Sequence, residues 1–243
     1  MTKSATTVSV HYVERVDFSF APWTWPFAVE RRAAIDAFFR REQDANPALW
    51  NGRLLLLRDH RVAGATMSGR FFETDYASLL AALAWDAMEE AVRACFPAAA
   101  ILAADGGVIL GEMAAHTRNA GQVLLPSGSV ERGDVVGDRV GLFGALRREI
   151  EEETGLAPST LDPDAGWYAV GVGPRLPMIK VMRAREPAEA LRRRIAAALS
   201  AQSRPELRAV MVARGPSDLN DLSERMPLWV TAFLQQIWRQ KVC

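Results

Sequence analysis

Sulfur and imidazole are scarce in this chain: its 243 residues hold two cysteines, Cys95 and Cys243, and three histidines, His11, His60 and His116. So few cysteines exclude a disulfide framework, and none stands at metal-type spacing from a histidine. Both are expected to be inert, one buried and the other in a loose tail. An excess of one charge is missing as well, since 29 lysines and arginines face 29 aspartates and glutamates. Without net positive charge, neither polymeric nucleic acid nor an anionic membrane is an expected partner. No apolar run reaches bilayer length, and MTKSATTVSVHYVERVDF lacks the apolar core of a signal peptide, so a cytoplasmic location is expected. Internal repeats, low-complexity runs and charged tails are also absent.

What the chain does have is 49% apolar residues, enough for one large domain or two small ones. Phe27, Ala34, Ile35, Phe38 and Phe39 predict an amphipathic helix over residues 26–43, opened by Pro26. The GRLLLL run and residues 61–67 read as two strands joined by a turn at Arg58-Asp59-His60. Thr74-Asp75 caps a predicted helix over 76–94, which Cys95-Phe96-Pro97 interrupts. The expected organisation is therefore an N-terminal α+β region, residues 1–94, followed by a second domain, residues 95–243.

In that second part, residues 98–104 and 108–113 flank Asp105-Gly106-Gly107 as a hairpin, and Val123-Leu124-Leu125 forms a short strand. Another hairpin is expected from residues 167–173 and 178–183, around Pro174 and Pro177. A helix over 188–201, a strand over 209–213 and a last helix over 227–239 follow. This order predicts an α+β fold, an α/β/α sandwich with a mixed sheet, rather than a regular doubly wound one.

The segment LFGALRREIEEETGL, residues 142–156, carries the chemistry. At helical spacing Phe143, Leu146 and Ile150 form one stripe, and Glu149, Glu152 and Glu153 an adjoining one. Three carboxylates on one face repel unless water or a cation compensates them, and hard divalent ions such as Mg2+ or Mn2+ prefer such oxygens. A solvated acidic face is the alternative reading of EIEEE taken alone. Glu151 points to the other side of the helix and is expected to be solvated, while Gly155 should stop the helix. Upstream, Gly128-Ser129-Val130-Glu131-Arg132-Gly133-Asp134 is a glycine-punctuated loop that lets backbone approach a ligand closely.

Together these segments resemble the signature of Nudix hydrolases, G-x5-E-x7-R-E-U-x-E-E-x-G-U with U aliphatic. Arg148 to Leu156 match throughout and Gly128 matches the opening glycine, but Asp134 stands where the family has glutamate. Thirteen residues, 135–147, separate Asp134 from Arg148 where the family has seven, a six-residue insertion. The resemblance implies a Nudix-type fold from about residue 95 onward, a small-molecule nucleoside diphosphate derivative as substrate, and Mg2+ or Mn2+ as cofactor. It implies Glu149, Glu152, Glu153 and the Gly128 carbonyl as metal ligands, with Glu149 a third ligand or the base. Arg148 would position Glu152, Glu206 would be a further ligand or base, and Arg118 would reach a phosphate. A homodimer is among the states the resemblance admits. The preceding Trp50-Asn51-Gly52 and Phe72 to Tyr76 segments look like the branch containing UDP-glucose diphosphatases. Read without it, they are a core tryptophan and a helix cap. The alternative function is a Nudix-like nucleotide-binding or regulatory module, to which Asp134 and the insertion point.

Overall fold

The computed structural model describes residues 7–241, so the tail position expected for Cys243 lies outside the described residues. Cys95 is buried in the core. The chain opens with two strands that the sequence reading leaves unassigned, β1 (Val8–Val13) and β2 (Arg15–Phe20). Helices α1 (Pro26–Glu30) and α2 (Arg32–Ala45) follow, one predicted helix divided at Arg31. Next come β3 (Arg53–Ala63), β4 (Thr66–Asp75) and α3 (Tyr76–Ala84). The turn lies at Gly64, which adopts positive φ, whereas Arg58-Asp59-His60 continues the strand through a break in register with Asp59 at φ 54°. The predicted turn is thus a bulge, since an aspartate tolerates the left-handed conformation that one extra residue demands.

Four leucines, Leu54 to Leu57, are buried because β3 is covered on both faces. Leu55 and Leu57 enter the main core, while Leu54 and Leu56 join Trp25 and Phe72 beneath the N-terminal helices. The predicted helix to residue 94 ends at Ala84, two residues before Asp86 takes positive φ. From there β5 (Val92–Leu102) runs through Cys95-Phe96-Pro97 as a central strand, antiparallel to β3 and parallel to β12 (Arg175–Ala184). The point between residues 94 and 95 lies inside this strand.

The remaining strands are β6 (Val108–Met113), β7 (Val123–Leu124), β8 (Val135–Val136), β9 (Arg139–Val140), β10 (Leu161–Pro163), β11 (Trp167–Val172) and β13 (Leu207–Ala213). They join one mixed sheet ordered β1-β11-β12-β5-β3-β4-β2-β9-β8, with β6 linking β5, β7 and β13. Three helices complete the α+β fold: α4 (Leu142–Thr154), α5 (Ala188–Ala201) and α6 (Leu228–Lys241). Leu191, Ile195 and Leu199 bury one stripe of α5 at helical spacing. Among the described residues no helix is long and apolar enough to cross a membrane.

Candidate active site

The glycine loop is held by its neighbours on both sides. Leu55 N–H of β3 donates to the Val130 carbonyl at 2.8 Å, and the Arg132 guanidinium lies 4.3 Å from the Phe20 ring centre. Within the loop, Glu131 N–H donates to Asp134 Oδ2 at 2.8 Å. Residues 135–140, the six by which the spacing exceeds the pattern, fold as the β8–β9 hairpin with Gly137 at positive φ. Gly141 N–H closes its neck on the Asp134 carbonyl at 2.8 Å. The hairpin leans on β2: Phe20 N–H donates to the Asp138 carbonyl at 2.7 Å, and Arg139 pairs with Asp17.

Helix α4 then presents its carboxylates to this loop. Its buried face holds Leu142, Leu146 and Ile150, whereas Phe143 is 37% exposed, so the apolar stripe begins one residue earlier than predicted. Gly155 ends the helix in the left-handed conformation at φ 67°. Glu149 and Glu153 are buried, but Glu152 keeps 60% of its side chain exposed. The three glutamates therefore do not share one environment. Glu151 is exposed as expected.

Gly128 lies so near α4 that a Cβ added there would stand 2.0 Å from Glu149 Oε2, so any larger residue must displace that carboxylate. The next-door Ser127 N–H donates to Glu153 Oε2 at 3.1 Å. Arg148 reaches Glu149 at 2.6 Å, Asp134 at 3.2 Å and Glu152 at 3.6 Å, and also the Ser129 carbonyl at 3.3 Å. The expected i,i+4 pair with Glu152 is thus its longest carboxylate contact. Its main work is to bind the loop to the helix.

Burial pushes the Glu149 carboxyl up to about 7, opposed by Arg148 and reinforced by Glu152, Glu206 and Glu131. Glu153 is raised well above the ordinary carboxylate range by burial first, then by Glu149 and Glu206, with the Ser127 N–H opposing. Buried carboxyls crowded this way either keep a proton or take a cation. Among the described residues no group of three acidic, histidine or cysteine side chains is already drawn together as a metal cage. The oxygen donors and the Cβ-free approach at Gly128 nevertheless suit a hard divalent cation.

A cavity of about 310 Å3 opens beside the glycine loop, lined by Ser129, Glu131, Glu206, Trp50 and Tyr76 among others. A second, of about 390 Å3, lies past Ser127 and is lined by Phe96, Trp229, Leu83 and Arg175. Arg118 borders both and makes a 3.8 Å contact with Glu42. Lys180, by contrast, donates to the Gly166 carbonyl at 2.8 Å beneath the Trp167 ring. Sequence reasoning misses Glu131, whose only signal is its place in the glycine loop, and Tyr76. Trp50 is no core residue: it is 74% exposed.

The structure is similar to a Nudix hydrolase from Nitrosomonas europaea, at 15% identity and a TM-score of 0.41 over 61% of this chain and 90% of that one. A MutT protein from Methanosarcina mazei Go1 aligns at 18% identity and TM-score 0.39 over 61% of this chain and 95% of that one. DR0079 from Deinococcus radiodurans aligns at 12% identity and TM-score 0.46 over 76% of this chain and 98% of that one. No family model matches the chain, and no curated protein does.

Proposed function

We propose that this chain is a Nudix-type hydrolase that cleaves the pyrophosphate bond of a nucleoside diphosphate linked to another group, with a nucleotide sugar such as UDP-glucose as the substrate. The observation that carries the reading is the buried pair Glu149 and Glu153, the first against the Cβ-free backbone at Gly128 and the second on the Ser127 N–H. Burying two like charges this close is costly, and a fold retains such a pair where a ligand compensates it. Glu149, Glu152, Glu153 and the Gly128 carbonyl would hold Mg2+ or Mn2+. Such an ion, when bound, neutralises pyrophosphate charge and lowers the pKa of a water towards neutrality.

The chain's own residues do the positioning. Arg148 fixes the Glu149 carboxylate and ties it to Ser129 and Asp134, so the loop and helix keep their spacing through turnover. Arg118, between the two cavities, contacts a substrate phosphate. Glu206, just before β13, lines the smaller cavity and, with Glu149, would accept the proton of the attacking water. Asp134 takes the place of the signature glutamate by bracing Arg148.

The test is to incubate the purified protein with Mg2+ or Mn2+ and UDP-glucose, ADP-ribose, NADH, coenzyme A, dinucleoside polyphosphates or nucleoside triphosphates. Metal-dependent release of nucleoside monophosphate from a diphosphate derivative is expected. No turnover on the whole panel would replace this reading with that of a nucleotide-binding or regulatory module.

A further inference from the structure

The two cavities share a partition, Tyr76 and Arg118, and differ in the chemistry of their far walls. The larger is apolar at one end, where Phe96 and Trp229 meet edge to face with ring centres 5.7 Å apart, and offers the amides of Asn119 and Gln122. A nucleobase fits such a wall, with aromatic faces for its ring and amides for its edge. The smaller is lined by the carboxylates of Glu131 and Glu206 and by Trp50. A carboxylate there accepts hydrogen bonds from hydroxyls, and an indole packs on the C–H face of a pyranose.

Local construction shows that Trp50 is placed rather than adrift. Asn51 Oδ1 accepts from Ala77 N–H at 2.8 Å and the Gly52 carbonyl accepts from Tyr76 N–H at 2.9 Å, so the turn carrying Trp50 caps α3. At Gly52 a Cβ would stand 3.1 Å from Trp50 Nε1, so glycine there lets the indole lie against the turn. Asn46 Nδ2 donates to the His116 carbonyl at 3.3 Å, joining this wall to the loop that bears Arg118. The turn is thus fixed by hydrogen bonds while the Trp50 ring it carries stays 74% exposed at the cavity wall.

We infer that the N-terminal region supplies the sugar subsite of the enzyme: Trp50 stacks on an uncharged sugar esterified to the far phosphate, Glu131 accepts its hydroxyls, and the base occupies the chamber of Phe96 and Trp229. This inference rests on the proposed pyrophosphate hydrolysis and adds to it which residues choose the group released.

The experiment compares UDP-glucose with the methyl ester of UDP, which lacks the sugar, for the wild type, Trp50→Ala and Trp50→Phe. The kcat/KM preference for UDP-glucose should fall at least tenfold in Trp50→Ala, through KM, and recover largely in Trp50→Phe. Equal loss for both substrates, or no loss, overturns the inference. Saturation-transfer NMR with UDP-glucose, without divalent cation, separates the two readings. If the wild type hydrolyses neither substrate but its glucose protons saturate and Trp50→Ala abolishes this, the subsite stands and hydrolysis falls. Absence of glucose saturation in the wild type, or saturation insensitive to Trp50, removes the subsite whatever the turnover.

Discussion

Replacing Glu149 by glutamine should stabilise the metal-free protein, and should do so only at neutral and alkaline pH. The carboxyl is pushed from an ordinary 4.5 to about 7. Its folded pKa lies above the unfolded one, so the stability it contributes is whole below pH 4.5 and is lost as pH rises to about 7. At about 1.4 kcal/mol per pH decade, the ionised side chain costs the fold about 3 kcal/mol at pH 8.5 and under about 1 kcal/mol at pH 5. Glutamine is isosteric and uncharged and can still accept from Arg148, whose pull on the ionised carboxylate is already contained in the value of about 7. The expected net effect is a gain of about 3 kcal/mol at pH 8.5, falling to under about 1 kcal/mol at pH 5. Urea unfolding of both proteins in EDTA at the two pH values measures it. A variant less stable than wild type at pH 8.5, or a difference independent of pH, would refute the account of a carboxylate whose burial outweighs its pairing with Arg148.

Four further outcomes follow from the same geometry. Mg2+ at a hundred times its Kd should stabilise the wild type by about 2.7 kcal/mol at pH 8.5 and by less at pH 5.5, and should leave Glu149→Gln nearly unaffected, as read by thermal shift. Gly128→Ala should cost about 1–3 kcal/mol in urea unfolding, because the new methyl must displace the Glu149 carboxylate, and should remove hydrolysis. Glu152→Gln and Glu153→Gln should each lower kcat at least a hundredfold while Glu151→Gln stays near wild type; equal losses in all three would overturn the assignment. Gly155→Ala should destabilise by about 2 kcal/mol or more, since φ is 67° and Ala198 Cβ lies 2.5 Å from the new methyl.

Legibility in the sequence followed the strength of local signals. Helix α4 could be read because an apolar stripe and Gly155 agree, and α5 because its stripe repeats for four turns. The end of α3 could not, since residues 85–94 carry good helix formers and no proline. What stops the helix is the left-handed turn at Asp86 and the demand of β12 and β3 for a strand between them. Strands β1 and β2 pair with partners more than 45 residues away, and Glu14-Arg15 interrupts the pattern between them; yet β2 does alternate, Val16, Phe18 and Phe20 against Arg15, Asp17 and Ser19, a period-2 signal that the sequence offers. Within the site, the helical period placed three glutamates on one side but could not tell that Glu149 and Glu153 meet the glycine loop while Glu152 reaches solvent. The core position, one of two readings of Trp50, fails because the cap formed by its two successors leaves the ring 74% exposed.

The hairpin of residues 135–140 separates two quantities that a sequence pattern treats as one, the number of residues between two side chains and the distance between them. Because the backbone doubles back at a neck closed by Asp134 and Gly141, chain can be added beyond that neck without moving Asp134 from Arg148. Spacing measured along this chain therefore understates how near these partners stand. The same excursion ties the glycine loop to β2, through the Phe20–Asp138 hydrogen bond and the Arg139–Asp17 pair, so that movement of β2 would be felt at the carboxylates.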